Sequence, residues 1–119
     1  MSDITTHVLD LARGAPAAGI DVTLDRADAR GAYTPVGRAI TDADGRVTSF
    51  GVHAAGGGPA GTAPVRHRLT FATGAYFAAQ GVACFHPEVQ VVFDAVPGTP
   101  RYHVPLLVSP FGYSTYRGS

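Results

Sequence analysis

The amino-acid sequence predicts an all-β fold, an antiparallel sandwich, and three observations carry that reading. Apolar side chains recur at every second position over short runs such as Ile20-Asp21-Val22-Thr23-Leu24, the period of a strand with one buried face. Clusters of Gly, Pro and Asp punctuate these runs at short intervals, as turns do between neighbouring strands. Only one brief stretch has helical character, so the strand–helix–strand rhythm of a parallel sheet is missing.

Taken in order, Ile4 to Leu11 alternates Ile4, Thr6 and Val8 against Thr5, His7 and Leu9, and Arg13-Gly14-Ala15-Pro16 marks a turn. Ile20 to Leu24 is the next strand, Asp28 to Gly31 a turn, and Thr34 to Thr41 a strand with Pro35 near its start, where a missing N–H is tolerated. Asp42-Ala43-Asp44-Gly45 is a tight-turn signal before a strand over Arg46 to Phe50. Ala54 to Pro64, too poor in bulky residues to pack, reads as a flexible loop. Val65 to Thr73 alternates Val65, His67, Leu69 and Phe71 against Arg66, Arg68, Thr70 and Ala72. Ala75 to Gly81 is the helix candidate, with Gly81 as its stop. Strands over Glu88 to Asp94 and Arg101 to Ser109 flank the turn Val96-Pro97-Gly98-Thr99-Pro100, and Tyr113 to Arg117 forms a last short strand.

The 119 residues suffice for one domain, residues 1–119, with one core. A hydrophobic share of 45% against 15% charged residues places the chain among globular proteins. Nine basic and nine acidic residues cancel, which argues against nucleic-acid binding, since backbone binding needs a positive surface. No apolar stretch approaches membrane-spanning length. The N-terminus shows no basic segment followed by an apolar run, so a signal peptide is not expected and a cytoplasmic location is. The single cysteine, Cys84, cannot close an internal disulfide. It reads as a buried or half-buried packing residue in a reducing compartment, with a catalytic thiol the alternative.

Among the five histidines, His7 and His103 each lie in a predicted strand on the face opposite its clearest apolar residues. Two imidazoles brought together can activate water and pass a proton; the bland alternative for each is a surface residue. His67 alternates with apolar residues and reads as a satisfied core or interface histidine, His53 as exposed and His86 as part of a turn. No His or Cys pair has zinc-ligand spacing, and Asp42-Ala43-Asp44-Gly45 lacks the downstream carboxylate of a calcium loop, so no metal is expected. Arg46, directly after that turn, could clamp an anion or carbonyl oxygen; its alternative is an exposed arginine. No serine lies in a nucleophile elbow, and no glycine-rich phosphate loop is present.

The segment Tyr102 to Ser119, with His103, Ser109-Pro110-Phe111-Gly112 and the closing Tyr116-Arg117-Gly118-Ser119, resembles the C-terminal signature of the 5-hydroxyisourate hydrolases, the transthyretin-related protein family. Thr6-His7-Val8-Leu9-Asp10 with Gly14 and Pro16-Ala17 resembles the N-terminal signature, Thr41-Asp42 and Asp44-Gly45-Arg46 the central turn, and Tyr76-Phe77 and Phe85 through Val89 the helix and following strand. The resemblance runs the whole length. It implies a transthyretin-like sandwich of two four-stranded antiparallel sheets with one short helix, assembled as a homotetramer with sites between subunits. The implied activity is cofactor-free hydrolysis of a small molecule, 5-hydroxyisourate, in urate degradation.

Residue by residue, the family's catalytic groups map onto His7, Arg46 and His103, and its substrate-binding tail onto Tyr116, Arg117, Gly118 and Ser119. The implied roles are water activation by the two histidines, oxyanion stabilisation by Arg46, ring contact by Tyr116 and pocket closure by Arg117 to Ser119. Which histidine is the base stays open. His86 and Arg101 depart from the family's usual aromatic and histidine, and Gly56 to Gly61 is unusually rich in small residues. The rival readings are a transthyretin-type carrier of an apolar ligand and an extracellular adhesion module. The His7, Arg46, His103 and tail set favours the enzyme over the first, and the N-terminus weighs against the second.

Overall fold

A computed structural model describes residues 3–51 and 63–119. His53 and nearly all of the expected loop at Ala54 to Pro64 lie outside the described residues. The elements in chain order are β1 (Asp3–Asp10), β2 (Ala15–Pro16), β3 (Asp21–Ala27), β4 (Tyr33–Ile40), β5 (Arg46–Val47), β6 (Val65–Phe71), α1 (Thr73–Ala78), β7 (Val89–Ala95), β8 (Arg101–Val108) and β9 (Tyr113–Thr115).

They form two sheets. One runs β4-β3-β6-β7, all antiparallel. The other runs β2-β1-β8-β9, with β5 also on β1. β2 pairs with Leu9 and Asp10 while β5 pairs with Thr6 and His7. The two fragments thus share one edge of β1 end to end, and this sheet too is four strands wide. Its central pair departs from the expected antiparallel pattern: β1 and β8 run parallel from Asp3↔Arg101 to Asp10↔Val108. The chain enters β8 from β7 of the facing sheet, not through a hairpin, so nothing forces the antiparallel sense.

The period-two reading of the core holds. Ile4 and Val8 of β1 and Val104, Leu106 and Val108 of β8 meet Val22, Leu24, Leu69, Phe71, Val89 and Val91 of the other sheet, all buried. Burying each such side chain stabilises the fold by about 1.5–3 kcal/mol. His67, on the same face of β6 as Leu69 and Phe71, is fully buried. Its Nδ1–H donates to the Val65 carbonyl at 2.8 Å, Nε2 accepts from Arg26 Nε at 3.4 Å, and the ring stacks on Phe93. It is the satisfied core histidine the alternation predicts.

Several boundaries differ from the sequence expectation for identifiable reasons. The strand expected over Arg46 to Phe50 stops at Val47, because the chain bends at Gly51, whose N–H donates to the Ser49 hydroxyl, and buries Phe50 beside the core with Val47. The turn at Arg13 to Pro16 ends in a two-residue strand, since Ala15 and Pro16 reach Asp10 and Leu9. Thr73, expected in a strand, opens the helix, which ends before Gly81 in a left-handed conformation. The β3–β4 register shifts at Leu24/Asp25, with Val36 the extra residue of β4, and Asp25 stays on the outer face opposite Arg68, whose guanidinium buries its carboxylate at 2.9 Å.

The final strand is the most informative case. β9 ends at Thr115, two residues before the expected Arg117. Leu106 pairs with Thr115, and His103 pairs with Gly118, three residues further along both segments, so the register is unbroken across the gap. Pro105 stands opposite the gap with no N–H to offer. The Thr115 hydroxyl donates to the Pro105 carbonyl at 2.7 Å instead, and the chain bows outward at Tyr116 and Arg117 before returning to β8.

Candidate active site

The site is assembled on the outer face of the β1–β8 sheet. Residues directly paired across neighbouring strands present their side chains to the same face. His7 is paired with Arg46 of β5, and Thr5, two residues earlier on the same face, is paired with His103 of β8. The inward neighbours Ile4, Thr6, Val8, Tyr102 and Val104 are buried, whereas Thr5, His7 and His103 are partly accessible. Three distant segments therefore converge because strand pairing joins them.

Arg46 is set by its turn. The Asp42 carboxylate accepts from the N–H of Asp44 and of Arg46, both at 2.9 Å, and the Asp42 N–H donates to the Arg46 carbonyl at 3.0 Å. Gly45 has φ 74°, and a Cβ on it would come within 2.4 Å of the Val8 carbonyl oxygen. Only glycine lets the turn approach β1 so closely, and the Val8 N–H donates to Gly45 O at 2.7 Å. The Arg46 side chain is exposed and makes no ion pair among the described residues. By contrast Arg38, Arg66 and Arg68 are paired with Asp21, Asp94 and Asp25 on the other sheet.

His103 is held on two sides. Its Nδ1 lies 2.8 Å from the Thr5 hydroxyl, and Gly118 lies against the ring, its N–H donating to the His103 carbonyl at 2.8 Å. Nε2 has no protein partner among the described residues. Burial, then the cationic Arg46, then His7 and Arg101, push the His103 imidazole below its ordinary value. That shift favours the neutral form, the one a proton acceptor needs.

A cavity of about 150 Å³ is lined by Thr5, Arg46, Thr48, Arg101, His103 and Ser119. Arg46, His103 and Ser119, three of the residues expected from the sequence, thus share one pocket. His7 stands on the same sheet face beside it but does not line it. Tyr116 and Arg117 do not line it either: they face a second cavity of about 300 Å³ with Phe93 and Tyr102. There the Arg117 guanidinium lies 5.0 Å over the Tyr102 ring. His103 lines both cavities and forms the wall between them. Thr5, Thr48 and Arg101 were not among the expected site residues. The legible signal for Thr5 and Arg101 was the same alternation that singled out His7 and His103, each being two residues away from one of them.

The family model for the HIUase/Transthyretin family matches residues 4–118, nearly the whole chain. The chain belongs to that family. Within it, the chain is 46% identical to a 5-hydroxyisourate hydrolase of Caulobacter vibrioides, with all of both chains covered. It is 39% identical to that of Mus musculus, over 99% of this chain and 96% of the mouse protein. Among solved structures of the HIUase/Transthyretin family, the Klebsiella pneumoniae 5-hydroxyisourate hydrolase is similar with a TM-score of 0.81 at 36% identity, covering both chains fully. Sea bream transthyretin in complex with thyroxine is similar with a TM-score of 0.85 at 32% identity, over 98% of this chain and 94% of that one. Backbone shape therefore does not separate this chain's likeness to the hydrolase from its likeness to the thyroxine-bound transthyretin.

Proposed function

We propose that this chain hydrolyses 5-hydroxyisourate to 2-oxo-4-hydroxy-4-carboxy-5-ureidoimidazoline in urate degradation. The observation that carries the proposal is the shared pocket of Arg46, His103 and Ser119, with His7 beside it on the same face. An imidazole whose neutral form is favoured, beside a guanidinium with no ion pair among the described residues, suits hydrolysis of a cyclic amide. His103 takes a proton from water as its oxygen bonds to the ring carbonyl carbon, with His7 orienting that water. Arg46 receives the negative charge on the carbonyl oxygen. The C–N bond then breaks, and the imidazolium returns its proton to the departing nitrogen. No step calls for a metal or an organic cofactor, so a chelator leaves the rate unchanged under this reading.

The same reading sets Ser119 at the mouth of the Arg46–His103 pocket and has Tyr116 and Arg117 reach the substrate from the adjoining cavity that His103 also lines, in a homotetramer whose sites lie between subunits, in the cytoplasm. Its support is the exposure of Leu11, Phe111, Tyr113 and Tyr116, at the end of β1, in β9 and in the segments flanking it, an apolar surface that a second copy would cover. Sedimentation at micromolar concentration tests this, with a tetramer expected. Among the described residues no helix is long and apolar enough to cross a membrane.

The deciding experiment follows the absorbance of freshly generated 5-hydroxyisourate. Enzyme-dependent decay well above the spontaneous rate is expected. Decay at the spontaneous rate, with tight binding of an apolar ligand such as thyroxine, would establish the carrier reading instead.

A further inference from the structure

We infer that Thr5 is a positioning residue: its hydroxyl, 2.8 Å from Nδ1 of His103, holds the ring as the tautomer protonated on Nδ1 and leaves Nε2 as the lone pair that meets the attacking water. The inference rests on the assignment of His103 as the base.

Three observations support it. First, Thr5 and His103 are directly paired residues on the two central strands of their sheet, so backbone hydrogen bonds fix their spacing without any loop. Second, the Thr5 hydroxyl has no other protein partner among the described residues, and Thr5 lines the pocket. It can accept from Nδ1–H and still turn its own proton towards a ligand. Third, the ring shares its pocket with Arg46 and Arg101, both donors without acceptor capacity. A ring protonated on Nε2 would turn an N–H towards those cations, whereas the opposite tautomer turns a lone pair towards them. Which imidazole nitrogen carries the proton is decided by the hydrogen bond made by the other. Nδ1 is taken by the Thr5 hydroxyl, so Nε2 is the nitrogen left for chemistry.

The test compares the full-length wild type with Thr5→Val, which keeps shape and strand preference but removes the hydroxyl, and Thr5→Ser, which keeps the hydroxyl. Imidazole ¹⁵N shifts at pH 8, assigned to His103 by the signal lost in His103→Gln, report the tautomer without reference to activity. The wild type and Thr5→Ser are expected to show an unprotonated Nε2, and Thr5→Val a shift towards the Nε2-protonated form. In the absorbance assay Thr5→Val is expected to lose about tenfold or more in kcat, with KM within about twofold, and Thr5→Ser to recover most of it. An unchanged tautomer in Thr5→Val overturns the inference whatever the rate does. A tautomer that moves while kcat stands still upholds the role of Thr5 and overturns the assignment of His103 as the base.

Discussion

Gly118 packs directly on the imidazole of His103. Its N–H donates to the His103 carbonyl at 2.8 Å, and a Cβ built on it would come within 2.5 Å of Cδ2 and 3.2 Å of Cγ. The contact is possible because the tail returns to β8 in register after bowing past Pro105.

Gly118→Ala is therefore expected to displace either the ring or the tail. A shift on the order of 1 Å in a reacting group costs about 100-fold in rate. Steady-state turnover of 5-hydroxyisourate should fall by roughly that factor, and thermal unfolding should be unchanged, since the residue lies outside the core. Turnover within a factor of two of wild type would show that the close packing on His103 has no catalytic consequence.

Arg46 offers a planar, always-charged fork, which a lysine does not reproduce. Arg46→Lys should lower kcat by about 10²–10³-fold, the usual loss for an oxyanion donor. The same residue bears on pH dependence. The base acts when neutral, so kcat/KM should be flat at and above neutrality and fall as pH drops below the ordinary value of 6.5, because His103 is pushed lower. Burial is the larger cause and Arg46 the next. Arg46→Gln should accordingly move the acid limb of the pH–rate profile upward while lowering its plateau.

His67 gives a stability prediction separate from catalysis. Burial is the main cause that pushes its imidazole below 6.5, and both nitrogens are satisfied only in the neutral form, Nδ1 by Val65 and Nε2 by Arg26. The unfolded chain therefore binds a proton at this site at a higher pH than the folded chain does. The stability is fully present above the unfolded value and is lost as pH falls below 6.5 towards the lowered folded value. Urea midpoints should drop between pH 7 and pH 5 in wild type and drop less in His67→Phe. Equal slopes for the two proteins would rule out this site as a source of the acid sensitivity.

Deleting Tyr116 to Ser119 should abolish most turnover and leave the sandwich intact. β9 ends at Thr115, so the truncation removes one isolated bridge and no strand. Far-ultraviolet circular dichroism and the urea midpoint should match wild type within error. A collapse of either would mean that the tail closes the fold as well as the pocket.

The alternation of apolar residues determined much of this by itself. It told the inward face of β1, β6 and β8 from the outward one, and so placed His67 inside and His7 and His103 outside, because side-chain direction in a strand is a local property with a period of two residues. The Asp42 to Gly45 turn was equally legible, since its hydrogen bonds and its left-handed glycine lie within a few residues of each other.

Tertiary structure alone decided the rest. Nothing local states that β8 lies parallel to β1, yet that pairing is what sets His103 opposite Thr5. The end of β9 depended on Pro105, a residue ten positions earlier in the chain whose missing N–H matters only once the two segments are paired. The strand expected at Arg46 to Phe50 was cut short by the burial of Phe50, a long-range packing effect. The sequence determined which side chains face outward; the register between segments a hundred residues apart determined which of them meet, because hydrogen bonding between strands is a contact between partners that neither strand specifies alone.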